Sequence, residues 1–159
     1  MRTLQQCIAF FVVSNMLYAD SFGDVKYLYK PEGEDKGQEI VGTLDVDASA
    51  KTLIFKSSVP KKQKKNKKPR PDVSLEVKSD SITSTLYERA SKPRYLAALL
   101  IAWPLIFTRE KKHFLTIQYA GASGVQSYAI FHLDKGNFRS ILAAIEATTG
   151  KKVERSEEH

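Results

Sequence analysis

The side chains able to do chemistry are few. Of three histidines, His159 ends the chain, while His113 opens one apolar stretch, His113 to Tyr119, and His132 sits near the end of another, Val125 to Leu133. Ala120-Gly121-Ala122-Ser123-Gly124 joins the two stretches and has the composition of a hairpin loop. Placing Leu115 and Ile117 on one face with Tyr128 and Ile130 sets His113 opposite His132, with Cβ atoms about 5 Å apart. Two imidazoles fall short of the three or four protein ligands of a zinc site, even with Glu110 or Asp134 nearby. The expectation is therefore a structural strand-end pair, with no metal and no cofactor. A slip of one residue would put the two rings on opposite faces.

Other catalytic patterns are missing from the sequence. It has no Gly-rich phosphate loop, no His-Glu-x-x-His helix and no Gly-x-Ser-x-Gly elbow. Glu76, Asp80 and Glu88 fall in turns or on polar strand faces, where a solvated role is the default. No residue is assigned a catalytic role, and the chain reads as a non-enzyme.

The elements that position these residues are mostly strands. Val25 to Tyr29 is a short strand followed by the polar turn Pro31 to Gly37. Ile40, Gly42, Leu44 and Val46 alternate with polar or outward positions. A turn at Ala48-Ser49-Ala50 then leads to Thr52-Leu53-Ile54-Phe55, which completes a hairpin. Val73-Ser74-Leu75-Glu76-Val77 alternates cleanly, and Ile82 to Glu88 is rich in β-branched residues. The period then changes: Phe138, Ile141, Leu142 and Ile145 draw one apolar stripe on a helix, with Asp134 as candidate N-cap and Gly150 as its end. Glu154 to His159 reads as a charged tail.

The amino terminus carries a different signal. Met1-Arg2, the apolar run Ile8 to Val13 and a small residue, Ala19, before Asp20 make the pattern of a secretory signal peptide over 1–19. Cys7 precedes the apolar run, so a lipoprotein anchor is not expected. Cleavage after Ala19 would leave a chain without cysteine, and redox compartment is then uninformative. The reading is an exported protein, periplasmic or extracellular, associated with a membrane. An N-terminal extension would follow at 20–37, then one domain at 38–153 and the tail at 154–159.

Charge is concentrated. The 159 residues carry 25 basic and 18 acidic side chains, a net charge of +7. Lys61, Lys62, Lys64, Lys65, Lys67, Lys68 and Arg70 match that excess by themselves, within a loop at 60–71 that holds no acid and no aromatic residue. A nucleic-acid-binding face would interleave aromatic or base-reading side chains, so no specific nucleic acid is expected. The run reads as a solubilising loop with weak polyanion affinity.

Six or seven strands closed by one carboxy-terminal amphipathic helix resemble the pleckstrin-homology-like (PH-like) superfamily, especially its bacterial, exported or membrane-associated and GRAM-type members. The resemblance is carried by Gly42 to Asp47 with Leu53-Ile54-Phe55, by Val73 to Val77 with Ser81-Ile82-Thr83, and by Lys111 to Ile117. Phe131 to Lys135 and the helix Phe138 to Gly150 complete it. It implies a mainly β, two-sheet antiparallel barrel or sandwich with the helix plugging one end. Many relatives bind phosphoinositides through a basic loop between the first two strands. Here that loop is either Pro31 to Gly37, which is acidic, or Ala48 to Ala50, so such recognition is not expected.

Tyr95 to Phe107 is apolar throughout and too short to span a bilayer as a helix, which needs about 20 residues. It is bracketed by Lys92 and Arg94 before it and by Arg109, Lys111 and Lys112 after it. One reading buries it as a strand or core helix bent by Pro104, or between subunits in a structural or assembly protein. The other lets Tyr95, Leu99, Leu100, Trp103 and Phe107 dip into an anionic membrane surface or meet a protein partner, the cations contributing about 1 kcal/mol each near lipid. The functional expectation is a non-catalytic binding module acting through this segment.

Overall fold

The structure, a computed structural model, describes residues 19–31, 33, 36–58, 71–99 and 110–157, of which 97–99 and 157 are described as backbone alone. Strands β1 (Ala19–Tyr29), β2 (Gln38–Asp47), β3 (Thr52–Ser57) and β4 (Ser74–Lys78) are followed by β5 (Ile82–Ala90), β6 (Lys112–Ala120) and β7 (Gln126–Leu133). Helix α1 (Phe138–Thr149) and a last strand, β8 (Glu154–Glu157), close the sequence. The strands form one open sheet in the order β4-β3-β2-β1-β7-β6-β5-β8. All described pairings are antiparallel except β8 on β5, which is parallel.

This corrects the expected count of six or seven strands in a closed barrel or sandwich. The sheet has eight strands, with β4 and β8 at its two ends. It does fall into two halves, because β1 and β7 pair through only Lys26↔His132 and Tyr27↔Phe131. Residues 20–29, expected as part of an extension outside the domain, form the strand at the middle of the sheet, between β2 and β7. The expected charged tail likewise supplies β8, which lies on β5 with Arg155 beside Tyr87.

Alternation decides which side chains enter the core. In β2, Ile40, Gly42, Leu44 and Val46 are buried and their neighbours half-buried; Leu53 and Phe55 do the same in β3. The two strands pair Leu44 with Phe55 and Val46 with Leu53, so the apolar positions stack on one face. Gly42 is needed for a close approach. A Cβ there would meet the Lys56 carbonyl oxygen at 2.2 Å and the Phe55 ring at 2.5 Å. The bare backbone lets Phe55 lie across it and join Tyr27 and Phe131, with ring centroids 5.3 to 5.8 Å apart in tilted geometry. The trio comes from β1, β3 and β7 and spans the junction of the two halves. Burial within it pushes the Tyr27 phenol up to about 12, aided by neighbouring Tyr119 and Tyr29.

Helix α1 packs its stripe into this core: Ile141, Leu142 and Ile145 are buried, each worth about 1.5–3 kcal/mol of transfer free energy. Gly150 ends the helix at φ 67°, its N–H donating to the Glu146 carbonyl. Asp134 is not the residue directly before the helix, as expected; Asn137 is. Asp134 instead shapes the preceding turn, its carboxylate accepting from the Gly136 N–H at 2.7 Å and its carbonyl from the Phe138 N–H at 3.1 Å.

The β5–β6–β7 half is apolar on both faces. Leu115, Ile117, Ala129 and Phe131 point into the core, while Phe114, Thr116 and Ile130, on the opposite face, are also fully buried. A turn of 3₁₀ helix at Arg94–Leu99 lies against β7 on this second face, with Tyr95 stacked on Tyr128 at 5.3 Å. Glu88, expected to be solvated, is 5% exposed, and its carboxylate accepts from the Arg94 backbone N–H and pairs with the Arg94 guanidinium at 3.5 Å.

Gly42→Ala is expected to destabilise the fold by about 1–3 kcal/mol through overpacking against backbone and ring. Urea unfolding followed by circular dichroism measures it, and an unchanged midpoint would contradict the close approach.

Candidate anion-binding cleft

At the end of the sheet where β5 and β7 finish and β6 begins, side chains from separate stretches of the sequence surround a concave region. It consists of two adjoining cavities of about 700 and 650 Å³. The first is lined by Asp24, Lys26, Arg89, Glu110, Lys111, Lys112, His113, His132, Leu133, Asp134 and Lys135. The second is lined by Tyr87, Arg89, His113, Lys135, Phe138, Arg139, Leu142 and Arg155. Arg89, His113 and Lys135 belong to both, so the two are chambers of one cleft. Seven Lys or Arg side chains face it against three carboxylates.

Each cation is placed by a local cause. Arg89 follows Tyr87 by two residues on β5 and so shares its face; Arg155 lies beside Tyr87 across the parallel β5–β8 ladder. Lys135 and Arg139 flank the start of α1. That start is held by a stack of rings: His113 on Phe138 at 4.2 Å and 15°, and Tyr87 on Phe138 at 5.5 Å and 8°. Asn137 adds a second tie, its side-chain amide donating to the Gly23 carbonyl at 2.9 Å beside a β1 irregularity where Asp24 has φ 56°.

Among the described residues, Arg89, Lys112, Lys135 and Arg155 have no ion-pair partner. Arg139 lies over the Phe138 ring, its guanidinium carbon 5.6 Å from the centroid. Lys26 and His132, which also line the first chamber, both meet Glu39, at 3.6 and 3.3 Å. The bond from His132 holds the Glu39 carboxyl below its ordinary value, despite partial burial, with Lys26 and Lys112 adding to the effect.

His113 is 8% exposed, and its Nδ1 lies 2.6 Å from the Tyr87 hydroxyl. Desolvation lowers its pKa from the ordinary 6.5, and the positive charges of Arg89 and Lys135 lower it further. Both effects favour the neutral ring, whose unprotonated Nδ1 accepts from the Tyr87 hydroxyl. His113 and His132 are not the cross-strand pair expected from the sequence. The ladder sets His113 opposite Leu133 and Phe114 opposite His132, one residue from the expected register, so the rings lie on opposite faces. The apolar count decides this: the observed register faces Leu115 and Ile117 to Phe131 and Ala129 in the core. Among the described residues no three potential ligands gather to hold a metal ion.

The site residues expected from the sequence are distributed unevenly. Lys111 and Lys112 line the first chamber. Lys92 is exposed, whereas Arg94 is committed to Glu88 and to the Ser156 hydroxyl. Tyr95 lies on β7, and Leu99 is described as backbone alone. Leu100, Trp103, Phe107 and Arg109 lie outside the described residues, as do Lys61, Lys62, Lys64, Lys65, Lys67, Lys68 and Arg70. Ser57 and Ser74, which flank that basic stretch, end β3 and begin β4; Ser57 pairs with Gly42, which pairs with Val25. Sequence reading missed Arg89, Lys135, Arg139 and Arg155 because they form no linear motif. The available signal was the period-two spacing of Tyr87 and Arg89.

The titration of His113 tests the site. Its folded pKa lies below the ordinary 6.5, so stability is complete above that value and is lost as pH falls from 6.5 through the folded value. The expected nuclear magnetic resonance midpoint is below 6.5 in the free protein and higher with an anion in the cleft; a free-state midpoint at or above 6.5 contradicts the geometry.

Comparison with known proteins bears on the fold alone. No protein-family model and no curated protein matches this sequence. In three dimensions the chain is similar to one in the structure of the Spt16D Pob3N heterodimer, with a TM-score of 0.50 and 10% sequence identity over 89% of this chain. It spans 56% of the length of that chain. The mainly β architecture with its helix after seven strands is thus PH-like in fold.

Proposed function

We propose that this chain is a non-catalytic, exported PH-like binding module whose ligand presents anionic groups to the cleft between β5, β6, β7 and the start of α1. One observation carries the reading: seven Lys or Arg side chains against three carboxylates line a single concavity, and among the described residues Arg89, Lys135 and Arg155 have no ion-pair partner. Folding them near one another costs repulsion, which an anion would relieve. The rings beside them are stacked on each other and not offered as open platforms, which speaks for an anion and against unstacked bases.

The segment Tyr95 to Phe107 enters this reading differently from the expectation. Its described beginning folds onto the second face of β7, which favours its use as cover for Phe114 and Ile130. Its following cations, Lys111 and Lys112, turn toward the cleft. Export rests on the residue pattern of 1–19. A cut after Ala19 would remove only the first residue of β1 and leave the sheet intact. N-terminal sequencing of secreted material tests it, and a retained leader contradicts it.

Calorimetric titration of the full chain with pyrophosphate and with citrate tests the cleft. Binding is expected to weaken roughly tenfold or more in a variant carrying Arg139→Glu and Arg155→Glu, both exposed positions, and to fall with salt. It should persist when the seven basic residues of 61–70 are changed to serine. Binding that survives the two reversals, or vanishes with the serine changes alone, would overturn the assignment.

A further inference from the structure

Resting on the anion-cleft reading, we infer that the cleft carries its own competitor: Glu157 and Glu158, delivered by β8, occupy its cations until an external anion displaces them. Strand direction is the first argument. Alone among the described pairings, β8 on β5 is parallel, so β8 runs toward the end where β5 finishes and the cleft opens. The register sets Glu157 beside Arg89, and Arg89 in turn lies opposite His113 on β6. Arg89 and His113 line both chambers. The backbone of Glu157 therefore lies one strand spacing, about 4.8 Å, from that of Arg89 at the junction.

Period is the second argument. Arg155 lines the second chamber, and Glu157, two positions on, takes the same face of β8, whereas Glu154 takes the other. Glu158 follows outside the described residues, its Cα about 3.8 Å from that of Glu157, so a second acid starts from the same place. Charge complementarity is the third. Among the described residues the second chamber is lined by Arg89, Lys135, Arg139 and Arg155 and by no carboxylate. One short strand thus brings Arg155 to the cleft and an acid pair to answer its cations. Its hold is light enough to be exchanged. Val153 is buried at the start of this four-residue strand, but Glu154 and Arg155 are exposed, and the Ser156 hydroxyl accepts from the Arg94 guanidinium at 3.2 Å. Exposed carboxylate–guanidinium pairs are individually weak, and a multiply charged anion outcompetes them.

Calorimetric titration with pyrophosphate tests this on three forms of the full chain. They are the wild type, a Glu157→Gln, Glu158→Gln variant, and a control that removes the same charge away from the cleft face, Glu76→Gln with Glu154→Gln, both exposed positions. Relief of competition is expected to tighten binding roughly threefold or more in the first variant and to leave the control at wild-type affinity. Affinity in the first variant equal to or weaker than wild type overturns the inference. Equal tightening in the control also overturns it, because net charge alone would then explain the gain. Either result leaves the anion cleft standing, whereas absence of binding to all three forms removes both.

Discussion

The packing of the His113 imidazole on Phe138, with the Tyr87 hydroxyl bonded to its Nδ1, is the contact on which the cleft end of the sheet depends. It joins β5, β6 and the first turn of the helix at one point. Arg89, Lys135 and Arg139 each lie within three residues of one of these rings, so their backbone origins are set by the stack. The imidazole must stay neutral to accept the tyrosine proton, and desolvation together with the neighbouring cations favours that state. The same positive field that opposes a charged histidine is the field an anion would answer.

Charge in this chain is sorted by topology more than by composition. The basic stretch from Lys61 to Arg70 accounts for the net charge of +7, which leaves the remainder balanced. Yet the balanced remainder folds so that cations outnumber acids around the cleft. Glu39 and Glu88 are occupied elsewhere, by Lys26 with His132 and by Arg94. A count along the sequence sees the lysine run and misses the cleft, because the cleft is assembled from β1, β5, β6, the β7–α1 turn, α1 and β8.

Where each element buries one face, its sequence was readable. The alternation of Ile40, Gly42, Leu44 and Val46 and the stripe Ile141, Leu142, Ile145 appear in the core as expected. Legibility failed where burial is two-sided or absent. His113 to Ile117 are all buried, so either hairpin register looked satisfactory, and the register expected for the histidines was off by one. The first residues of β1 are largely exposed and look like an extension, although Val25 and Leu28 anchor the strand at the sheet centre. The residues of β8 are polar and become a strand only through backbone pairing with β5. The cleft was legible at Lys111 and Lys112 and, as a pair of histidines with Glu110 and Asp134 nearby, at His113 and His132.

The junction between β1 and β7 has a consequence for how the molecule comes together. β1, β2 and β3 pair in sequence order through short connections, and so do β6 and β7; β1 must then wait for its second partner, more than a hundred positions downstream. Such a long-range closure carries a large loop-entropy penalty and slows the final step. Tyr27 and Phe131 are adjacent in the finished sheet but belong to opposite ends of synthesis. The nascent polypeptide therefore stays incompletely consolidated until nearly all of it has emerged.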